Sequence, residues 1–102
     1  MVRKDLKPGE QLAQSVHAAF RFASDYPHLT NRWLDNSEYI CILEIENETE
    51  LYNLWKMSEQ KSIPGACFIE PDYDNSLTAI ALAPGLESKK LCSNLKLALK
   101  EI

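Results

Sequence analysis

A chain of 102 residues is long enough for one domain with a hydrophobic core and too short for two. Its 45% hydrophobic and 25% charged residues are typical of a globular protein and exclude a disordered chain. The net charge of −4 argues against indiscriminate nucleic-acid binding, and the lack of a long apolar run predicts a cytoplasmic protein rather than a membrane protein.

The charges are distributed unevenly along the chain. Residues 1–34 carry a net charge of +2, residues 35–74 of −8, and residues 75–102 of +2. The two ends therefore suit a phosphate-bearing partner, provided that the fold brings them together. The alternative is that the acidic middle is simply a solvated surface.

The first three residues are too few to predict a whole strand. Pro8 and Gly9 predict a turn, and a helix follows from about Glu10 to Ser24. At the helical period one side of this helix is apolar and is expected to face the core: Leu12, Val16, Ala19, Phe20 and Ala23. Another side is polar and is either a site or a wet surface: Glu10, Gln14, His17 and Arg21.

A short second helix is predicted from His28 to Asn36. Tyr39 to Ile45 is the clearest strand, because its apolar, β-branched residues are typical of a strand covered on both faces. Asn47, with Glu50 three residues later, predicts the start of a third helix. Its buried stripe is Leu51, Leu54 and Trp55.

Two more buried strands are predicted at 66–69 and 77–82, with a polar loop between them. A last helix is predicted from about Glu87 onward. Its inner side is Leu91, Leu95, Ala98 and Ile102, and its outer side is Lys89, Ser93, Lys96 and Lys100. Strands alternating with helices indicate an α/β domain in which helices pack against a small sheet.

The three cysteines form no C-x-x-C pair, and each lies in an apolar segment: Cys41, Cys67 and Cys92. This pattern predicts reduced thiols in the core rather than a disulfide framework or a zinc site. No metal and no cofactor is expected.

Two separated segments carry a resemblance to a known family. The first contains Arg3, Asp5, Leu6, Gly9, Ala13, Gln14, His17 and Ala18 in the order of R-x-D-L-x-M-G-K-G-K followed by A-A-Q-C-x-H-A. The second runs from Thr78 to Pro84 and is similar to T-V-L-x-I-G-P. Both motifs resemble the type II peptidyl-tRNA hydrolases. The chain is similar to a shortened branch of that family, because Gly9-Glu10-Gln11 replaces the Gly-Lys-Gly-Lys stretch.

The resemblance implies a single domain over residues 1–102, with a four-stranded mixed sheet and helices packed on both faces, usually in a homodimer. It also implies that residues 1–3 belong to a central strand, which is either truncated in this sequence or three or four residues long. It also implies cleavage of the ester between a peptide and the 3′ end of tRNA. Such a reaction needs a positioned water, a proton acceptor, a group that stabilises the oxyanion, and a basic surface for tRNA.

The resemblance implies four catalytic candidates. Thr78 matches the family's strand threonine, and His17 matches its helix histidine, although a helical histidine can also be purely structural. The family's aspartate falls at Pro71, in a loop about five residues shorter, so Asp72 is the candidate and Asp74 its rival. Lys7 is the candidate replacement for the missing lysine.

Five further residues are expected to contact substrate: Gln14, Lys4, Lys89, Lys96 and Tyr73. The lysines suit phosphates, and Tyr73 is placed to stack on a terminal adenine. The alternatives are exposed side chains without a specific role. At the level of the whole protein, two other hypotheses are an inactive RNA- or protein-binding module on the same fold, and a small-molecule esterase with a deep apolar pocket.

Overall fold

A computed structural model describes residues 1–100, which form a mixed sheet of five strands with four helices. The strands are β1 (Val2–Arg3), β2 (Leu43–Ile45), β3 (Gly65–Glu70), β4 (Ser76–Leu82) and β5 (Lys96–Leu97). They lie in the order β3-β4-β1-β2-β5. β1 and β2 are parallel, and the other neighbouring strands are antiparallel. The helices are α1 (Pro8–Asp25), α2 (Pro27–Asp35), α3 (Glu48–Gln60) and α4 (Leu86–Leu91).

Helices pack on both faces of the sheet, as predicted. On one face α3 buries Leu51 and Leu54 against Ile80 of β4. On the other face α1 lies across β3 and β4 and buries Ala18 against Val2 and Ala79. The small side chains on this second face let the helix approach the sheet closely.

The third helix and the positions of β3 and β4 follow the sequence prediction, although β3, predicted as a buried strand, lies at the edge of the sheet. The side chain of Asn47 accepts a hydrogen bond from the backbone N–H of Glu50 at 3.0 Å, which fixes the start of α3. Strands β3 and β4 cover the predicted segments 66–69 and 77–82. The second helix is also present, one residue away from its predicted bounds at each end.

The side of α1 that faces the core differs from the prediction. Leu12, Val16 and Phe20 are exposed, and Phe20 keeps 72% of its surface accessible. Gln11 and Gln14 are buried in their place. Burying two amides costs little here because each of them has a hydrogen-bond partner within the protein. The prediction was therefore wrong about which side of this helix packs on the sheet.

The start of α1 also differs. Pro8 and Gly9 lie in the first turn of the helix instead of in a turn before it. Proline fits the first helical position because it has no N–H to satisfy there and its φ is already helical.

The predicted strand from Tyr39 to Ile45 is shorter, since only Leu43–Ile45 is regular strand. Its neighbours β1 and β5 are two residues each, so they offer too few backbone partners for a longer strand. Tyr39 and Ile40 are exposed.

The predicted last helix ends at Leu91, and the chain returns as β5 alongside β2. Ser93 and Asn94 follow the helix and favour turns, while the free side of β2 offers backbone partners to Lys96 and Leu97. The fifth strand was thus missed. Ile102, assigned to the inner side of that helix, lies outside the described residues.

The cysteines are all reduced, as predicted, but they are not all in the core. Cys67 and Cys92 are half-buried, while Cys41 is exposed because its segment is not part of the sheet. Within residues 1–100, no helix has the length and apolar character needed to cross a membrane.

Candidate active site

Helix α1 begins where the polar residues of the candidate site start. Pro8 occupies the first helical position, and Lys7 precedes it. The carboxylate of Glu10 accepts a hydrogen bond from the backbone N–H of Lys7 at 2.9 Å. This bond lies at the positive end of the helix dipole, where a carboxylate is stabilised.

The polar side of α1 faces strand β3 and the loop that follows it. Its side chains, spaced by about one helical turn, each contact that region: Glu10 bonds Tyr73, Gln14 bonds Glu70, and His17 stacks on Phe68. These contacts line up along the helix axis because positions three or four apart share one side. The polar side is therefore in contact with the protein as well as with solvent.

A buried chain of hydrogen bonds joins α1 to the sheet. The hydroxyl of Thr78 donates to Oε1 of Gln14 at 2.7 Å, and both residues are buried. The amide nitrogen of Gln14 donates in turn to Oε1 of Glu70 at 2.9 Å. The Gln14 amide accepts through its oxygen and donates through its nitrogen, so hydrogen-bond donation runs in one direction, from Thr78 through Gln14 to Glu70.

Thr78 reaches α1 because strand β4 has an extra residue at this point. The pairing register passes from Phe68–Ala79 directly to Ile69–Leu77. Thr78 is left without a paired residue in the β3 ladder, although its hydroxyl also lies 3.3 Å from the C=O of Phe68. Both Thr78 and Ala79 face α1 instead of alternating. A β-bulge turns a side chain toward a new direction in this way and is common beside functional sites.

Glu70, the last residue of β3, is the carboxylate at the end of this chain. Its second oxygen, Oε2, accepts from the backbone N–H of Asp72 at 3.2 Å. The hydrogen bond from Gln14 lowers the pKa of Glu70, and the Asp72 N–H and the charge of His17 lower it further. Glu70 is consequently ionised at neutral pH and acts as a hydrogen-bond acceptor.

His17 lies one turn after Gln14 on the same side of α1. Its ring stacks on Phe68 with centroids 4.4 Å apart and an interplanar angle of 11°. The stacking fixes the plane of the imidazole beside β3, and the exposed ring edge remains accessible to a bound molecule.

The loop after β3 is fastened to the start of α1. The phenol of Tyr73 donates to Oε2 of Glu10 at 2.9 Å. This bond raises the pKa of Tyr73, while the Lys7 N–H and the Tyr73 hydroxyl lower the pKa of Glu10. The short loop is thereby closed against the helix and not splayed into solvent.

The four predicted catalytic residues lie at this end of the molecule, though not all in one network. Thr78 belongs to the buried chain and His17 lies beside it. Asp72 is exposed, and its backbone N–H, not its carboxylate, bonds Glu70. The charge of Lys7 contributes to lowering the pKa of Glu10, so the lysine lies near that carboxylate at the helix start. The rival Asp74 is exposed in a left-handed turn.

The predicted substrate-binding lysines are more dispersed. Lys4 forms an ion pair with Glu46 at 2.8 Å and lies 3.9 Å from Glu44. Lys96 is the cross-strand partner of Glu44. Lys89 is exposed in α4, which packs near α3 on the other face from α1. The predicted stripe of lysines on one helix is therefore absent from residues 1–100, because that helix ends at Leu91.

Two carboxylates of the site, those of Glu70 and Glu10, were not predicted from the sequence to be site residues. Glu70 carried a usable signal, since it is the carboxylate that ends β3 and directly precedes the position aligned with the family's aspartate. Glu10 was recognised for its place in the first helical turn, but its bond to Tyr73 spans 63 residues and has no local signature.

Metal binding requires several ligands close together. Over residues 1–100, no group of three His, Cys, Asp or Glu side chains is arranged to hold a metal ion.

Comparison with known proteins gives two results. The family model described as peptidyl-tRNA hydrolase PTH2 matches residues 1–98. A peptidyl-tRNA hydrolase of Thermococcus sibiricus is 28% identical over 109 aligned positions, which cover 95% of this chain and 92% of the relative. A peptidyl-tRNA hydrolase of Thermococcus onnurineus matches with the same identity and coverage.

Proposed function

The chain belongs to the PTH2 family of peptidyl-tRNA hydrolases, and on that premise we propose that it hydrolyses the ester between a peptide and the 3′-terminal ribose of tRNA. The observation that carries the proposal is the 2.7 Å hydrogen bond between Thr78 and Gln14. It joins the two segments that resemble the family's motifs, although they are 64 residues apart. A polar contact between them is what a shared active site requires.

In this proposal Glu70 orients the attacking water and accepts its proton as the ester carbonyl is attacked. When the ester C–O bond then breaks, the proton passes to the 3′ oxygen of the leaving ribose. The carboxylate is ionised at neutral pH, and its position is fixed at both oxygens by Gln14 and the Asp72 N–H. A positioned proton acceptor of this kind contributes on the order of 10²–10⁴-fold to a reaction rate. Asp72, one turn of backbone away, remains the competing candidate for the same role.

Thr78 and Gln14 act as positioning residues, since both are buried and Gln14 holds the carboxylate. His17 stands at the open side, where its imidazole is suited to bind the ester or the ribose. Lys7 supplies the positive charge near which the oxyanion develops. Its location beside Glu10 supports this role, because the Glu10–Tyr73 bond brings the loop after β3 to the same helix end.

We also propose that Lys4, Lys89 and Lys96 contact the phosphates of tRNA outside the reacting centre, and that Tyr73 meets the terminal adenine. Because Lys4 and Lys96 already lie beside carboxylates, they exchange partners on binding. Their contribution is expected to fall steeply with salt concentration.

A cytoplasmic homodimer is part of the proposal. The support is the apolar ridge on α1, defined by Leu12, Val16 and Phe20, which the described residues leave exposed. The three side chains repeat at every fourth residue, so the ridges of two antiparallel helices match about a two-fold axis. A stable interface buries about 800 Å² of surface per partner, so residues around these three side chains would also have to take part.

The experiment that tests the function compares two substrates for the purified protein: an N-acetylaminoacyl-tRNA and a simple peptide ester. Cleavage of the tRNA ester alone is expected. Cleavage of both esters would instead assign an esterase without tRNA specificity. Cleavage of neither, with tRNA binding retained, would contradict the proposal and leave a binding module.

A further inference from the structure

We propose that the open edge of β3 binds the peptide portion of peptidyl-tRNA as an added β-strand, through the backbone of Gly65, Cys67 and Ile69. The inference rests on the proposed function, because it names where the peptide of that substrate lies. In the described chain β3 pairs with β4 alone and has no strand on its other side.

The direction of the free backbone groups follows from the ladder. Ile80 exchanges both of its hydrogen bonds with Met1, at 2.7 Å and 2.9 Å, so its N–H and C=O face away from β3. Its partner in β3 is Cys67. In an antiparallel pair, residues that do not bond each other direct their N–H and C=O outward, and Cys67 therefore presents both groups at the open edge.

The same argument holds on each side of Cys67. The N–H of Leu77 bonds a carboxylate oxygen of Glu48 at 2.8 Å, and its C=O accepts from Arg3 at 3.2 Å, so its partner Ile69 faces outward. At the other end the C=O of Pro64 accepts from Ala83, which leaves the following Gly65 facing outward. The three outward residues are regularly spaced along the edge.

The edge has room for a peptide. A groove of about 360 Å³ runs along it, lined by Arg21 and Asp25 of α1, by Trp55 of α3 and by residues 65–69 of β3. Because α1 and α3 pack on opposite faces of the sheet, the groove straddles the exposed strand. From Gly65 to Ile69 the edge is about 13 Å long, which corresponds to roughly four residues of an extended peptide.

The occupant is identified by chemistry and by position. The open edge ends at Ile69, the residue before Glu70, and Glu70 is the last member of the hydrogen-bond network that begins at Thr78. An ester held at Glu70 would therefore direct its peptide along β3. Strand addition recognises main-chain N–H and C=O groups, which every peptide carries whatever its side chains. A hydrolase that meets peptides of many sequences needs this kind of recognition. An aminoacyl-tRNA with a single free amino acid has no peptide bond to offer.

N-methylation of the substrate tests the proposal. Four N-acetyl-tetrapeptidyl-tRNAs, each N-methylated at a different one of the four amides, are compared with the unmethylated parent for kcat/KM. In an added strand only alternate N–H groups face β3, so losses of about fivefold or more are expected at alternate positions and under about twofold at the others. Equal effects at neighbouring positions, or none anywhere, would overturn strand addition while leaving the hydrolase function intact.

Amide hydrogen exchange provides a measurement that does not need turnover. The Cys67 and Ile69 amides should exchange fast in the free protein and become protected by a saturating tetrapeptide, whereas those of Ala66 and Phe68 should be protected throughout. Protection on peptide addition in a protein that cleaves no peptidyl-tRNA would sink the proposed function and keep the peptide site. Protection that instead rises with protein concentration alone would assign the edge to a second copy and overturn the proposal.

Discussion

The hydroxyl of Thr78 and the amide oxygen of Gln14 lie 2.7 Å apart in the interior, between strand β4 and helix α1. The bond explains why a glutamine occupies the buried side of a helix. It also makes Thr78 dependent on the bulge in β4, since a regular strand would turn the side chain away from α1. Fold and candidate site therefore rest on the same contact.

Replacing Thr78 with valine should destabilise the protein by about 1–3 kcal/mol, because the buried oxygen of Gln14 loses its donor while the shape is kept. Turnover of peptidyl-tRNA should fall as well, since Gln14 is no longer held toward Glu70. Urea denaturation and kcat measure the two effects. Thr78→Ser retains the hydroxyl and should recover most of the activity; a serine variant as impaired as valine would show that the hydrogen bond is not the cause.

Replacing Glu70 with glutamine should lower kcat for peptidyl-tRNA by about 100-fold, because the amide cannot accept the proton of the attacking water. The fold should persist, since the glutamine oxygen can still accept from Asp72 N–H or from Gln14. The matched control is Asp72→Asn. Its kcat should stay within about twofold of the parent value, because substitutions at exposed positions usually have small effects. The opposite result, a large loss for Asp72→Asn and a small one for Glu70→Gln, would move the role to Asp72.

Local sequence patterns predicted the parts of the fold whose hydrogen bonds and apolar contacts are made between residues close together in the sequence. Asn47 caps α3 through a bond to Glu50, and the apolar spacing of Leu51 and Leu54 matches the face that the helix buries. Strands β3 and β4 were recognisable because each is a short apolar run bounded by Pro, Gly or Asn residues.

The parts that the sequence could not predict depend on distant partners. Nothing local to Gln14 indicates that a threonine 64 residues later makes its burial favourable, so periodicity alone favoured Leu12, Val16 and Phe20 as the inner side. Likewise Lys96 and Leu97 become strand because β2 has a free side, which a helical period cannot reveal. Gln14 and Thr78 were singled out through the family resemblance, whereas the role of Glu70 follows from its hydrogen bond to Gln14 in the folded protein.

Replacing Lys7 with alanine should reduce kcat by about 100-fold, the usual cost of losing one group that stabilises an oxyanion. Stability should change little, because the backbone N–H that bonds Glu10 remains. Lys7→Arg keeps the charge and should retain part of the activity. An exposed lysine at the end of α3, Lys61, provides the control. Unchanged single-turnover rates for Lys7→Ala would remove this residue from the site.

The bond between Glu10 and Tyr73 should make loop closure dependent on pH. The folded-state pKa of Glu10 is lowered, first by the Lys7 N–H and then by Tyr73, so its stabilising effect is present above its ordinary pKa and is lost as the pH falls through the lower folded value. A double-mutant cycle with Glu10→Ala and Tyr73→Phe should show coupling at about pH 7 that decreases once the pH falls below the ordinary range of a glutamate. Coupling that persists in acid would mean that the two side chains interact by packing.

The exposed ridge of α1 predicts self-association that one charge should prevent. Phe20, 72% exposed at one end of the ridge, would lie against the opposite helix in the proposed dimer, where a carboxylate would be desolvated without a partner. Phe20→Glu should therefore give a monomer in analytical ultracentrifugation at concentrations where the parent is a dimer. Tyr52→Glu places the same charge on exposed surface of α3, on the other face of the sheet, and should leave the dimer unchanged. A parent protein that sediments as a monomer, or a dimer that both variants retain, would contradict the ridge as an interface.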